Sequence, residues 1–139
     1  MISFNYENDF DLGNEEAYSN WISRVILSEN KKEGDINFIF CDDEYLHKLN
    51  VEYLEHDTLT DVISFDYSMG NELHGDVFIS TERVAENAVK FNVTFEQEIK
   101  RVIIHGVLHY CGYKDKSDAD EAIMRAKEEE KIKMFHVEL

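Results

Sequence analysis

Two histidines stand four residues apart in His105-Gly106-Val107-Leu108-His109, and the chain continues Tyr110-Cys111-Gly112-Tyr113-Lys114-Asp115. On an α-helix that spacing puts both imidazoles on one face, a turn apart. Two such nitrogens can each reach one ion at about 2.0–2.1 Å. The helix must then stop so that the chain can bring round a third ligand. Gly112 predicts the stop, and Asp115, six residues past His109, offers a carboxylate oxygen. A His–His–carboxylate set leaves one coordination position open for water, which is the arrangement of a catalytic rather than a structural zinc site. His105, His109 and Asp115 are therefore the expected metal ligands, acting in catalysis through the bound water. One Zn2+ per chain is expected, with other divalent metals also compatible with the carboxylate. Cys111 falls on a different helical face from His109 and is not needed as a ligand.

The same spacing occurs in the extended metzincin protease motif, H-E-x-x-H-x-x-G-x-x-H/D. Those proteases carry a glutamate directly after the first histidine, as general base on the metal-bound water. Here that position is Gly106, which has no side chain. The ligand spacing is present and the peptidase base is absent, so a metzincin-like hydrolase of other substrates is the weaker alternative.

The elements that must hold this motif can be read from the hydrophobic pattern. Thr94 with Gln97 predicts a capping box, opening a helix through Ile99, Val102, Ile103 and Val107 to His109. Upstream, Ile2 to Tyr6 predicts a strand. Asn14 caps an amphipathic helix to Ser28 that carries Ala17, Tyr18, Trp21, Ile22, Val25 and Ile26. Gly34 is expected to break the chain before a strand over 36–41. Asp42 or Asp43 caps a helix to about Tyr53. The runs 60–65 and 75–80 are rich in β-branched and aromatic residues and predict two strands, joined as a hairpin by a turn at 69–72. Ser80 or Thr81 caps a helix to about Phe91. Ser117, with Asp120 and Glu121, caps a last helix to about Phe135, whose charges read as a solvated face. Together these predict an α/β (α+β) fold: one domain over 1–139, a roughly four-stranded mixed sheet with helices packed on it, and a metal site at the end of a core helix.

Composition bounds the function. The chain has 139 residues and a formal net charge of −16, and 43% of its residues are hydrophobic. No run approaches the ~20 apolar residues that span a bilayer, and Met1 to Asp9 lacks the basic and apolar regions of a signal peptide. A cytoplasmic protein with no membrane partner is expected, and the two cysteines, Cys41 and Cys111, are expected to be reduced. Such acidity argues against a general polyanion-binding surface, since nonspecific nucleic-acid affinity comes from lysine and arginine. It leaves room for a local basic cleft.

The motif His105-Gly106-x-Leu108-His109-x-x-Gly112-Tyr113-x-Asp115 resembles the H-G-x-L-H-x-x-G-Y-D-H signature of the YbeY family of bacterial rRNA-maturation endoribonucleases. Two upstream segments match in order. Leu49-Asn50-Val51-Glu52-Tyr53 leads into Thr60-Asp61-Val62-Ile63-Ser64-Phe65, like the family's L-N-x-x-Y and T-D-V-L-S-F. Gly75-Asp76-Val77-Phe78-Ile79-Ser80 is similar to its G-D-I-x-I-S strand. The resemblance implies a metal-dependent, single-strand-specific endoribonuclease, usually assigned zinc, acting in 16S rRNA 3′-end maturation and ribosome quality control. The implied partners are the 16S rRNA precursor and the small ribosomal subunit or a ribosomal protein. Ser64, Asp61 and Asp76 become candidates for groups beside the metal or the substrate, Ser64 foremost.

Three positions depart from the family pattern. Asp115 replaces its third histidine, which loosens the choice of metal. Lys114 replaces the aspartate before that ligand. Leu54 stands where the family has an arginine after the tyrosine of L-N-x-x-Y, so a cation for the scissile phosphate is missing there. Lys114 is a candidate substitute on grounds of charge. The charge of −16 and Leu54 also support an alternative: a ribosome-associated maturation factor with a structural metal site and little catalysis.

Overall fold

A computed structural model describes residues 1–54 and 60–136. Four strands, β1 (Ile2–Tyr6), β2 (Lys32–Cys41), β3 (Val62–Asp66) and β4 (Glu72–Ser80), form one sheet in the order β1-β2-β4-β3. The β1–β2 and β2–β4 pairs are parallel, and β3–β4 is antiparallel. The sheet is mixed, as the alternation of helices with a hairpin predicts. Five helices accompany it: α1 (Glu15–Ser28), α2 (Asp43–Leu54), α3 (Thr81–Lys90), α4 (Phe95–Tyr110) and α5 (Asp118–Lys133), with a 3-10 turn over Met134–His136.

Period-two alternation decides which helices lie on which face. Leu73, Val77 and Ile79 of β4 point into the main core with Phe38 and Phe40 of β2, where α1 and α4 supply Trp21, Ile22, Val25, Ile103, Val107 and Leu108. The intervening residues of β3 and β4 point the other way. Ile63, Phe65 and Phe78 pack there with Cys41 and Leu46 under α2. Both cysteines are free thiols.

Two expectations fail locally. Gly34 does not interrupt the chain, because β2 runs through it from Lys32 with a register shift between Glu33 and Ile36. A Cβ at Gly34 would lie 2.5 Å from the His74 ring, so glycine is there for close approach. The face of α5 is not wholly solvated either. Met124, Glu128 and Lys131, spaced along one helical face, are buried against the domain. No helix among the described residues is long and apolar enough to cross a membrane.

Candidate metal centre

The site is built on α4. Thr94 Oγ1 accepts from the Gln97 N–H and Gln97 Oε1 from the Thr94 N–H, completing the capping box. The apolar stripe Ile99, Val102, Ile103, Val107 then seats the helix on the sheet. Gly106 lies over β4, and a Cβ there would be 3.1 Å from Val77 Cγ1. The position that lacks a peptidase base is thus one where helix and strand pack closely. Tyr110 Oη fixes the last turn by donating to the Phe65 and Asp76 carbonyls at 3.0 and 3.2 Å.

The helix ends in a Schellman motif. Gly112 takes φ of +104°, its N–H bonds to His109 O at 3.0 Å, and Tyr113 N–H reaches back to Leu108 O at 3.1 Å. A left-handed residue there is what glycine provides without a Cβ clash. The reversed chain carries Asp115 back over the end of α4.

Three atoms converge as a result. His105 Nε2 and His109 Nε2 are 3.0 Å apart, and each lies 3.3 Å from Asp115 Oδ2. Tetrahedral zinc with ligands at about 2.0–2.1 Å sets ligand–ligand edges of about 3.3–3.4 Å, so the triangle has the dimensions of three corners of that polyhedron. These are the residues among those described whose ligand atoms cluster closely enough for an ion. Both histidine side chains are mostly buried, whereas Asp115 keeps 41% of its side-chain surface exposed.

The far nitrogen of each ring explains the triangle. His105 Nδ1 lies 2.6 Å from Glu128 Oε2 and His109 Nδ1 lies 3.0 Å from the Tyr113 carbonyl. A carbonyl and a carboxylate accept only, so each ring donates from Nδ1. In the neutral imidazole this leaves Nε2 as the lone-pair atom, and both Nε2 atoms face each other and a carboxylate. The donor set is complementary to a cation. Histidines that ligate a metal are held in this way, by a carboxylate or carbonyl on the other nitrogen.

Glu128 belongs to a buried ionic cluster. Arg101 forks onto Glu98 through Nε at 3.0 Å and Nη2 at 2.6 Å, with Glu128 Oε1 at 3.5 Å and Asp61 Oδ2 at 3.6 Å. Burial alone would lower the Arg101 pKa, but Glu98, Glu128 and Asp61 outweigh it and keep the guanidinium charged. Burial raises the Asp61 carboxyl above its ordinary value, against the pull of Arg101 and His105. Three carboxylates around one arginine leave excess negative charge behind the site, which favours a cation in front.

The other candidates fall unevenly. Asp61 joins the cluster behind His105. Ser64 pairs with Val77 across β3–β4, which places it on the α4 side of the sheet. Asp76 pairs with Phe65 and so faces the α2 side. Its carboxylate accepts from Asn37 Nδ2 at 3.0 Å, away from the cluster. His74 sits at the same end of β4, hydrogen-bonded to Glu72. Lys114 and Leu54 are exposed, and His56 lies outside the described residues. Sequence reasoning missed Glu128. Its signal was the helical spacing that aligns it with Met124 and Lys131.

Fold and site together define a small α+β protein with a His–His–carboxylate cluster at the end of its central helix. The profile of the family described as Endoribonuclease YbeY matches residues 3–136. The chain belongs to this family. It is 70% identical to the endoribonuclease YbeY of Flavobacterium johnsoniae and 71% identical to that of Flavobacterium psychrophilum. The first match covers 99% of each chain, and the second covers 99% of this chain and 98% of its relative. A solution structure from Thermotoga maritima shares the fold with a TM-score of 0.69 at 27% identity, covering 97% of this chain and 89% of that one.

Proposed function

We propose that the protein is a single-strand-specific endoribonuclease that binds one zinc ion through His105, His109 and Asp115. Its proposed task is 16S rRNA 3′-end maturation and ribosome quality control in the cytoplasm, in contact with the small ribosomal subunit. Family membership supports RNA cleavage, since the relatives named above carry that activity in their names. The observation that carries the metal is the convergence of His105 Nε2, His109 Nε2 and Asp115 Oδ2 at 3.0–3.3 Å, with both far nitrogens held by acceptors.

A zinc ion held there would supply Lewis acidity and a bound water with its pKa lowered toward about 7. The chain's own residues do the rest. Glu128 and the Tyr113 carbonyl fix both imidazole tautomers, so the ligands need no reorganisation to bind. Asp115 closes the third corner from the solvent side. A cavity of about 450 Å³ opens beside His105 and Asp115, with Arg101 and Arg125 in its wall. A phosphodiester entering it meets the ligands on one side and the exposed Arg125 guanidinium on the other, among the carboxylates of Asp118 and Glu121. Ser64, on the sheet face beneath α4, is a candidate substrate-facing group, and Lys114 a candidate counter-charge at the rim.

The alternative of a ribosome-associated factor with a structural metal rests on Leu54. It is exposed at the end of α2, where the family's arginine would stand. It predicts ribosomal co-sedimentation without turnover.

The test is metal analysis by inductively coupled plasma spectrometry beside an RNA cleavage assay. Wild type should hold close to one equivalent of metal and cut single-stranded rRNA. Asp115→Ala should lose most of the metal and His109→Ala the cleavage. A wild type free of metal after chelator-free purification would sink the proposal. Full metal without cleavage would leave the structural reading standing.

A further inference from the structure

We infer that the groove between α4 and α5, leading from the metal centre to the α3–α4 turn, seats a single RNA strand, with Arg125 holding a phosphate and Phe91 stacking a base. The inference rests on the endoribonuclease reading and extends it to the path of the substrate.

Two cavities along α4 and α5 adjoin at Arg101, Arg125 and Glu128, which line both. One touches His105 and Asp115. The other, about 460 Å³, reaches Phe91, Val93 and Ile132. The groove is polar and charged at the metal end and apolar at the far end, as a nucleotide is at its phosphate and its base.

The two arginines are not equivalent. Arg101 is 18% exposed and forked onto Glu98, so its hydrogen-bonding edge is occupied. Arg125 is 58% exposed, and its ion pair is a long one, 3.8 Å to Glu128 Oε1. Its guanidinium is available at the mouth of the metal cavity. Arginine suits this place because its planar fork matches phosphate oxygens.

Phe91 is 50% exposed at the end of α3, with Val93 39% exposed beside it. Lys90 Nζ lies over the Phe91 ring, 5.6 Å from its centre. A base stacked on the ring would cover this apolar surface, and a duplex has no free base face to offer it. Asp118 and Glu121 also line the metal cavity, and Glu129 the apolar one. They hold down the affinity for polyanions in general, so that the strand must gain from Arg125 and Phe91 together.

The test is fluorescence anisotropy of zinc-loaded protein with a labelled single-stranded 2′-O-methyl oligoribonucleotide, across a salt series. Arg125→Ala should weaken binding about tenfold and shallow the logarithmic salt slope by about 0.7. Phe91→Ala should weaken it about tenfold with the slope unchanged, and Phe91→Trp should retain wild-type affinity. Metal content should match wild type in all three. Wild-type affinity and slope in both alanine variants, with His109→Ala still abolishing cleavage, overturn the groove and leave the endoribonuclease reading intact. A metal-loaded wild type that neither binds nor cuts RNA overturns both.

Discussion

Glu128 Oε2 lies 2.6 Å from His105 Nδ1, although the two residues are 23 apart in sequence and on different helices. The contact joins α5 to the proposed ligand set. It also ties the ring to a cluster whose charge Arg101 only partly offsets.

Removing this carboxylate should weaken metal binding before it disturbs the fold. Glu128→Ala is expected to reduce zinc affinity by about 10- to 100-fold. Glu128→Gln, which keeps an acceptor for the Nδ1 proton, should lose less. Competition against a chromophoric chelator measures both. Equal affinity in wild type and Glu128→Ala would remove Glu128 from the site.

Asp115 is expected to set the metal preference of the proposed site. Asp115→His restores the family's third histidine and exchanges an oxygen donor for imidazole nitrogen. Zinc should stay bound and its preference over manganese should increase, because imidazole suits zinc and carboxylate suits harder ions. Metal analysis after dialysis against equimolar zinc and manganese reads the ratio.

Gly106 is expected to resist replacement for reasons of packing. Gly106→Ala places a methyl 3.1 Å from Val77 Cγ1, so displacement of that side chain should offset the roughly 1 kcal/mol that alanine gains over glycine inside a helix, and urea denaturation should show no stabilisation. Gly106→Glu would complete a metzincin-like motif on paper. Its side chain would be driven into β4, so the expected result is loss of soluble protein, with no hydrolysis of casein.

Acid stability should depend on Glu29, the C-cap of α1, which meets the loop that carries Asp115 at Tyr113. Tyr113 Oη donates to Glu29 Oε1 at 2.7 Å and Lys131 Nζ lies 2.8 Å from Oε2. Burial alone would raise the Glu29 pKa, but Lys131, Tyr113 and Lys127 outweigh it and hold it below the ordinary 4.5. A lowered folded pKa gives stabilisation that is complete above the unfolded value and lost as pH falls through the folded one. Urea midpoints of chelator-treated protein should therefore drop below about pH 4.5, and Glu29→Gln should flatten that drop. An identical acid limb in the variant would count against the assignment.

What the sequence determined by itself was local. The Thr94–Gln97 box, the apolar stripe of α4, the four-residue histidine spacing and the Gly112 reversal are all set within a turn or two of chain. The structure places each where those signals indicate. Asp115 was legible too, because a Schellman turn returns the chain over a short and predictable distance. Tertiary structure alone decided the order β1-β2-β4-β3, since parallel pairing is between segments far apart in sequence. It also decided the contacts behind and beside the ligands. In a helix as charged as α5, the residues bound for burial look like their solvated neighbours. Glu128 and Lys131 are buried because partners from other elements, His105 and Arg101 for one and Glu29 and Ser28 for the other, offset the desolvation of their charges. The candidate metal-binding motif could be read along one helix, whereas the carboxylate that holds His105 could be found only where two helices meet.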